Sequence, residues 1–459
     1  MLNQIKPTFL TYWARIASRR SRPPNAALLL PEVGLFHYER KGENERSRIH
    51  LRVDPDGSSL LLVNASRVLH LNPTATFMAH LVLAEIPEKQ AVQSLTRRYR
   101  LSKTKAWNDY THFKTDLAEL LRPDGACPIH ELNLDVTAPF SSQPTAPYRM
   151  DLAVTYRCNN DCAHCYNGRP RDYPELSTTQ WQAILDRLWA TGIPHVVFTG
   201  GEPTLRNDLP ELIAHAQANG QITGLNTNGR RLSDLRYVNQ LVEAGLDHVQ
   251  ITLESHDPVI HDCMVQASGA WKQTITGVRN ALSTRLFVMT NTTMLQENSP
   301  VLGNTLQFLA ETGVPTVGLN ALIYSGRGRQ VGTGLQESQL PPLLDLARRH
   351  TEASGQRLIW YTPTQYCSFD PMQLDLGVKG CTAALYNMCV EPDGGVIPCQ
   401  SYYHQVGNLL TDPWESIWNH DLCISLRARK YISEKCVGCA LLSECGGGCP
   451  LQDAEPLGR

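Results

Sequence analysis

Between Met150 and about His350, short apolar runs alternate with segments in which apolar residues recur every three to four positions, the pattern of strands followed by amphipathic helices. The spacing predicts strands near Asp151 to Tyr156, His195 to Thr199, Ile222 to Asn226, His248 to Leu253, Leu286 to Thr292 and Thr316 to Asn320, with helices between them. Such units predict a parallel sheet wound by right-handed crossovers, as an open sheet or a full or partial barrel, with its chemistry on loops at the C-terminal ends of the strands. Upstream, from Ile49 to Leu71, apolar and polar residues alternate around an Asp54-Pro55-Asp56-Gly57 turn, which predicts a small antiparallel sheet. Asn72 before Pro73 then opens a helix, and two more follow over Gln90 to Tyr99 and Thr104 to Leu121, the last with Trp107, Tyr110, Phe113 and Leu117 on one stripe. Three strands and three helices predict a winged-helix module. Beyond about Trp360 the periodicity dissolves into turns, aromatics and cysteines, so this part is expected to be stapled by something other than a large apolar core. The expected fold class is α/β in five segments: a basic tail 1–31, the winged-helix module 32–125, a Pro/Gly/Ser-containing linker 126–148, the barrel 149–350 and the cysteine-rich region 351–459.

Composition narrows the functions this architecture can serve. With 459 residues, 42% hydrophobic and 19% charged, the chain is globular, neither coiled coil nor disordered tail. A net charge of −2 supplies no bulk field for phosphate backbones or anionic lipid, so neither nucleic acid nor membrane is an expected partner. No run approaches the roughly 18 apolar residues of a spanning helix. The first residues lack the apolar core of an export signal; Lys6, Arg15, Arg19, Arg20 and Arg22 precede the first acid, Glu32, and read as a disordered basic tail, with a transit peptide or basic arm as the alternatives. A reducing cytoplasm is the expected location. There, clustered cysteines hold metal, and nine of the 14 cysteines lie at Cys367 or beyond.

Directly after the first barrel strand comes Cys158-Asn-Asn-Asp-Cys162-Ala-His-Cys165-Tyr166. A loop of this size can wrap one metal cluster, and three thiolates on a four-iron cluster leave one iron open to a substrate or cofactor. The alternatives are a zinc site completed by His164, or idle thiols. The second strand ends in Thr199-Gly200-Gly201-Glu202-Pro203-Thr204, where the glycines admit a close backbone approach and the carboxylate can pair with an ammonium. Asn226-Thr227-Asn228-Gly229 and Thr252-Leu253-Glu254-Ser255 close the third and fourth strands; they bring donors and acceptors to the same sheet edge, or serve simply as helix caps.

Together these residues resemble the radical S-adenosylmethionine (radical SAM) superfamily, over Met150 to about Arg329. The resemblance implies a partial six-fold β/α barrel. It implies that the open iron of a 4Fe-4S cluster held by Cys158, Cys162 and Cys165 binds the amino and carboxylate groups of S-adenosylmethionine. Gly200, Gly201 and Glu202 would then hold the amino end and Tyr166 would lie near the adenine, with Thr252, Glu254 and Asn291 as candidates for ribose or nearby polar contacts. Reductive cleavage to a 5′-deoxyadenosyl radical needs an electron donor such as flavodoxin or ferredoxin. No catalytic acid or base is assigned.

The C-terminal cysteines make a second pattern: Cys381-x12-Gly394-x4-Cys399, then Cys436-x2-Cys439-x5-Cys445-x3-Cys449, with Cys389 inside the first pair. Two zinc ribbons are one reading. With the Pro392-Asp393-Gly394 turn and Gly407-Asn408, the pattern resembles the SPASM domain, a module of auxiliary iron-sulfur clusters. That implies Cys381, Cys389, Cys399 and Cys449 on one cluster, and Cys436, Cys439 and Cys445 on another. The second set lacks a thiolate, because no cysteine follows Cys449. Asp453 or Glu455 as an oxygen ligand, Cys423, an iron open to a substrate thiolate or solvent, and no second cluster at all are the alternatives. Cys127, Cys263 and Cys367 match no ligand pattern and are expected to be buried or idle.

The N-terminal module, with Leu60-Leu-Leu-Val63-Asn64 and Leu69-His70-Leu71-Asn72, resembles the PqqD-like peptide-recognition domain, which implies that a precursor peptide's leader adds a strand to the sheet edge. The rival is a winged helix using Arg97, Arg98, Arg100, Lys103 and Lys105 on nucleic acid, although a solvated helix end explains that run equally well. The leading expectation is thus an enzyme that abstracts hydrogen from a ribosomally made precursor peptide and installs a thioether or carbon-carbon crosslink, with epimerisation behind it. Two others stand beside it: a superfamily enzyme acting on a small molecule such as a tetrapyrrole side chain, and a zinc-stapled, non-catalytic nucleic-acid-binding protein.

Overall fold

The structure, a computed structural model, describes residues 12–14, 31–41, 46–64, 67–121 and 144–452. Most of the basic tail, most of the linker, Cys127, Asp453 and Glu455 lie outside the described residues. The chain forms two compact units, residues 1–137 with 189–194 and residues 138–188 with 195–459.

The first unit is an antiparallel sheet in sequential order: β1 (Tyr12–Ala14), β2 (Gly34–Lys41), β3 (Arg46–Val53), β4 (Ser59–Val63) and β5 (Arg67–Leu71). The expected strands are there, and β1 and β2 extend the sheet beyond them. Helices α1 (Pro73–Leu83), α2 (Glu88–Tyr99) and α3 (Lys103–Leu120) follow. Asn72 caps α1, its side chain accepting from the amides of Thr74 and Ala75 at 3.1 and 2.9 Å, and Ser102 caps α3 in the same way. Ile49, Leu51, Val53, Leu61 and Val63 pack under Ala79, Leu83, Leu117 and Leu121. The stripe read on α3 holds for Tyr110 and Leu117, but Trp107 faces outward, 41% exposed. The basic run is a helix end: Arg98 lies over the rings of Phe77 and Tyr99, and Lys105 pairs with Asp109 one turn on.

In the second unit, strands β6 (Arg149–Thr155), β7 (His195–Gly200), β8 (Ile222–Thr227), β9 (His248–Thr252), β10 (Phe287–Thr293), β11 (Thr316–Asn320) and β12 (Arg357–Trp360) are all parallel and adjacent in chain order. Helices α4 (Thr178–Thr191), α5 (Leu209–Asn219), α6 (Leu235–Ala244), α7 (Pro258–Val265), α8 (Ala270–Leu282), α9 (Leu302–Thr312) and α10 (Leu340–Ser354) form the crossovers. β12 is a seventh strand, lying past the boundary expected at residue 350; four residues are too few to show a period. The cysteine-rich region is no separate layer. Its strand β13 (Asn387–Val390) pairs in parallel with β6, and β14 (Gly395–Ile397) and β15 (Gly407–Asn408) continue the same sheet.

Burial along the strands shows which face is which. In β9, Val249 and Ile251 are fully buried while His248, Gln250 and Thr252 are half-buried. The buried set faces the helices and the half-buried set lines a polar lumen. On the lumen face Gly224 meets His248, whose Nε2 lies 2.9 Å from His195 Nε2, so that the two rings share one proton. A Cβ on Gly224 would sit 2.2 Å from His248 Cε1. Gly224→Ala is therefore expected to cost about 2 kcal/mol in urea unfolding, and adding His248→Ala should recover most of it.

Candidate functional site

The site grows from the bend after β6, where the chain turns over the end of β7. Gly200 has φ +134°, and a Cβ there would lie 2.1 Å from the Thr155 carbonyl oxygen; one on Gly201 would lie 2.4 Å from that of Arg157. Only residues without side chains let the amides of Gly201 and Glu202 donate to those carbonyls, both at 2.8 Å. The two glycines thus seat the loop that carries Cys158, Cys162 and Cys165.

Glu202 is fully buried and saturated. One carboxylate oxygen accepts from the Thr204 amide, the Thr204 hydroxyl and the Thr227 hydroxyl at 3.1, 2.6 and 2.7 Å, and the other accepts from the Asn228 amide at 2.7 Å. Burial pushes its pKa up against those four donors. It locks the ends of β7 and β8 together. From there Asn228 Nδ2 reaches Asn159 Oδ1 at 2.6 Å and Arg230 reaches the Asn159 carbonyl and Asn160 Oδ1, so the end of β8 grips the cysteine loop directly.

Two further arginines close on the loop. Arg171 donates to the Cys158 and Asn160 carbonyls at 2.9 and 2.6 Å and pairs with Asp161. Arg327, beyond β11, pairs with Asp161 at 2.8 Å, and its amide donates to the Cys165 carbonyl at 2.9 Å. Sequence reasoning missed these three guanidiniums, since a contact to a main-chain oxygen leaves no spacing signature.

His164, between two of the cysteines, is held from below. Its Nε2 lies 3.0 Å from Glu254 Oε1, while Glu254 Oε2 accepts from the Thr293 amide at 2.8 Å. Burial works against a charged imidazole here, but the Glu254 carboxylate holds the His164 pKa above its ordinary value. Glu254 is therefore engaged by protein on both oxygens and anchors the loop. Thr252 and Asn291 stand at one register position on β9 and β10; Asn291 Oδ1 accepts from Asn320 Nδ2 at 2.8 Å. The Tyr166 hydroxyl donates to Gln400, beside Cys399, at 3.3 Å.

Do these residues fit an iron-sulfur cluster? All three loop thiols are free and partly buried. Burial first, and then Glu202 and the Cys165 thiol, push the Cys158 thiol up to about 11 against the Asn160 amide; burial and then Cys165, Glu254 and Cys158 raise Cys162. The three therefore share one neighbourhood, soft in ligand type and ringed by guanidiniums that offset thiolate charge, as a cluster requires. A zinc site completed by His164 fits less well. His164 Nε2 is already engaged by Glu254 at 3.0 Å.

In the C-terminal part, Cys381, Cys399 and Cys449 converge. Burial and then the Cys449 and Cys399 thiols raise Cys381, and Cys399 is pushed up to about 12, by burial first and with Cys449 contributing. Cys389 stands at their edge: burial first and then Asp151, Glu391 and Cys399 raise its pKa, and it packs with Ala153, Tyr156 and Ile397 while its thiol donates to the Val390 carbonyl at 3.6 Å. Cys436 and Cys439 share a turn, and Cys445 closes the short helix Leu442–Cys445, its sulfur accepting from the Tyr366 amide at 3.3 Å. Cys423 is buried on a helix with Arg427 as its charged neighbour, facing none of the other thiols. Cys263 and Cys367 are exposed. A buried ion pair ties the two cysteine regions together: Arg169 donates to both oxygens of Glu391 at 2.7 and 2.9 Å, between the rings of Tyr173 and Tyr403.

Comparison with known proteins agrees with this geometry. Residues 152–319 match the model of the radical SAM superfamily, and residues 381–440 match the SPASM iron-sulfur cluster-binding domain. The chain carries a radical SAM domain and a SPASM domain. The first implies a 4Fe-4S cluster and S-adenosylmethionine, the second auxiliary iron-sulfur clusters. Among curated proteins the chain is 29% identical over 325 residues to Fe-coproporphyrin III synthase of Methanosarcina barkeri, covering 64% of this chain and 81% of that one. Among solved structures it is similar in fold to Streptococcus suis SuiB bound to the precursor peptide SuiA, with a TM-score of 0.65, 15% identity, and coverage of 88% of this chain and 94% of that one. It is also similar to anSMEcpe with bound AdoMet, with a TM-score of 0.54, 17% identity, and coverage of 66% and 89%.

The buried partner of His164 supplies a test of the radical SAM site. Glu254→Ala leaves the Thr293 amide and the imidazole without their acceptor, and should cost about 3 kcal/mol in chemical denaturation while lowering the iron retained per chain after anaerobic reconstitution and desalting. Unchanged stability and iron content would remove Glu254 from its anchoring role.

Proposed function

We propose that this protein is a radical SAM maturase that abstracts hydrogen from the core of a ribosomally made precursor peptide and installs a thioether or carbon-carbon crosslink. The observation that carries this reading is the first unit's sheet. Its β2 edge is covered by β1, whereas β5 has β4 as its strand partner among the described residues, with Val68 41% exposed. A leader peptide lying along β5 would gain main-chain hydrogen bonds from the backbone and register from the alternating side chains. The fold likeness to a structure holding a precursor peptide, which extends across most of the chain, supports the same reading.

Within the second unit each part has a task. Bound S-adenosylmethionine and its reduced cluster supply a carbon radical strong enough to take hydrogen from an unactivated carbon. Cys158, Cys162 and Cys165 would hold that cluster, drawing electrons from a donor such as flavodoxin or ferredoxin, with Gly200, Gly201 and Glu202 shaping the seat for the amino end and Thr252 and Asn291 offering polar contacts to the sugar. Cys381, Cys399 and Cys449 would hold an auxiliary cluster, with Cys389 at its edge as the fourth thiol; Cys436, Cys439 and Cys445 would serve a second. The polar lumen admits the substrate, and the helices around it keep bulk water from the reacting carbon. Clusters of free thiols suit a reducing cytoplasm, and no described helix is long and apolar enough to cross a membrane.

A second reading has one observation in its favour. The similarity to Fe-coproporphyrin III synthase points to a tetrapyrrole side chain as the substrate, with the first unit as an interaction platform. Anaerobically reconstituted enzyme with reductant should release 5′-deoxyadenosine, and Cys162→Ala should release none above background. With a cognate precursor encoded nearby, turnover should fall by an order of magnitude or more when the leader is removed; undiminished turnover of the isolated core would reject leader recognition and favour the small-molecule reading.

A further inference from the structure

The barrel does not close. Among the described residues β12, its last strand, pairs with β11 alone, while β6, its first, pairs with β7 and β13. The first and last strands of the barrel, β6 and β12, each begin with an arginine, Arg149 and Arg357. Strand alternation turns Arg357 and then Tyr361 toward the lumen: the Tyr361 ring lies over Gly318, where a Cβ would be 2.5 Å from it, and its hydroxyl donates to Met289 Sδ at 3.3 Å. Tyr361 is 37% exposed and Phe287, on the same face of β10, is 46% exposed, so apolar rings are open to whatever enters.

The two arginines differ in one respect. Arg149 is neutralised by a two-pronged ion pair with Asp151 at 2.7 and 3.0 Å. The Arg357 side chain has no hydrogen-bond or ion-pair partner among the described residues. Nor has that of Lys379, whose backbone is fixed beside the end of β12. The Lys379 amide donates to the Tyr366 hydroxyl at 3.0 Å, its carbonyl accepts from the Thr364 amide at 2.9 Å, and the Thr364 hydroxyl accepts from Trp360 Nε1 at 2.9 Å. Burial, and after it the Arg357 guanidinium, hold the Lys379 ammonium below its ordinary pKa. Two cations that feel each other electrostatically, one half-buried and neither paired with an acid among the described residues, gain from an anion placed between them. Phosphate sites draw on helix N-termini, which in strand–helix units lie at the other end of the strands from Arg357; separate side-chain cations suit carboxylates.

We infer that the seam is a carboxylate-binding entrance to the lumen, in which Arg357 and Lys379 grip acidic groups of the substrate while Tyr361 and Phe287 lie against its apolar framework. The inference rests on the proposed role of the lumen as the reaction chamber and adds the substrate's chemical class: an acidic peptide core or a porphyrin bearing propionates.

Both sources can be tested on reconstituted holoenzyme by calorimetric titration. The probes are coproporphyrin III and its tetra-amide, and a synthetic peptide of alternating glutamate and leucine with its glutamine counterpart. At least one carboxylate probe should bind, its amide partner should bind about tenfold to a hundredfold more weakly, and Arg357→Gln with Lys379→Gln should weaken it by a similar factor, the range given by losing one or two charge-assisted hydrogen bonds. Arg357→Lys with Lys379→Arg, which keeps the charges, should retain more of the affinity than the glutamine pair. Porphyrin binding alone would assign the small-molecule source, and peptide binding alone the acidic core. No binding of either carboxylate probe, equal affinity for the amides, or unchanged affinity in a glutamine pair with wild-type iron content would overturn the inference. Release of 5′-deoxyadenosine by the wild type is scored separately: its absence would sink the radical chemistry and leave the seam to be judged by binding alone.

Discussion

Two peptide planes after β6 pass so close to the end of β7 that no side chain fits between them. That contact, between the carbonyls of Thr155 and Arg157 and the glycine pair 200–201, fixes where the three thiols stand. The supports around it follow. Glu202 satisfies its buried carboxylate on the ends of β7 and β8, Asn228 and Arg230 extend that lock to the cysteine loop, and Glu254 holds the loop from β9 through His164. A buried carboxylate is costly unless it is hydrogen-bonded, and both glutamates have a protein partner on each oxygen.

The same economy joins the barrel to the cysteine-rich region. β13 is hydrogen-bonded to β6, so the region that carries Cys381, Cys389 and Cys399 grows from the barrel's own edge rather than from a tether. Arg169 with Glu391, and Tyr166 with Gln400, add side-chain contacts across that edge, each beginning a few residues from a cysteine of the radical SAM motif and ending close to one of the SPASM motif. Relative movement of the two cysteine sets would break buried, charge-assisted hydrogen bonds, so their separation is built into the sheet.

Much of this was legible because it is periodic or punctuated. The strand–helix alternation, the Asn72-Pro73 helix start and the two cysteine patterns each have a local cause that spacing reveals. What escaped has a non-local cause or too short a span. Four residues of β12 and three of β14 carry no detectable period, and β2, Gly-Leu-Phe-His-Tyr-Glu-Arg-Lys, mixes charged and aromatic residues because only part of it meets the core. Glu254 could be picked out as a polar strand end, but its partner His164 lies 90 residues away and nothing local announces the pairing. The arginine clamps are invisible for the same reason.

The wet face of the barrel strands has its own consequence. Residues such as Gln250 and Thr252 turn polar groups to the inside of the ring, while the apolar Val249 and Ile251 lie on its outer side, beneath the helices. Shape and stability are thereby written on one side of each strand and chemical preference on the other. Lineages descended from such a scaffold can exchange the inner set for a new cargo without renegotiating the packing that keeps the strands in register.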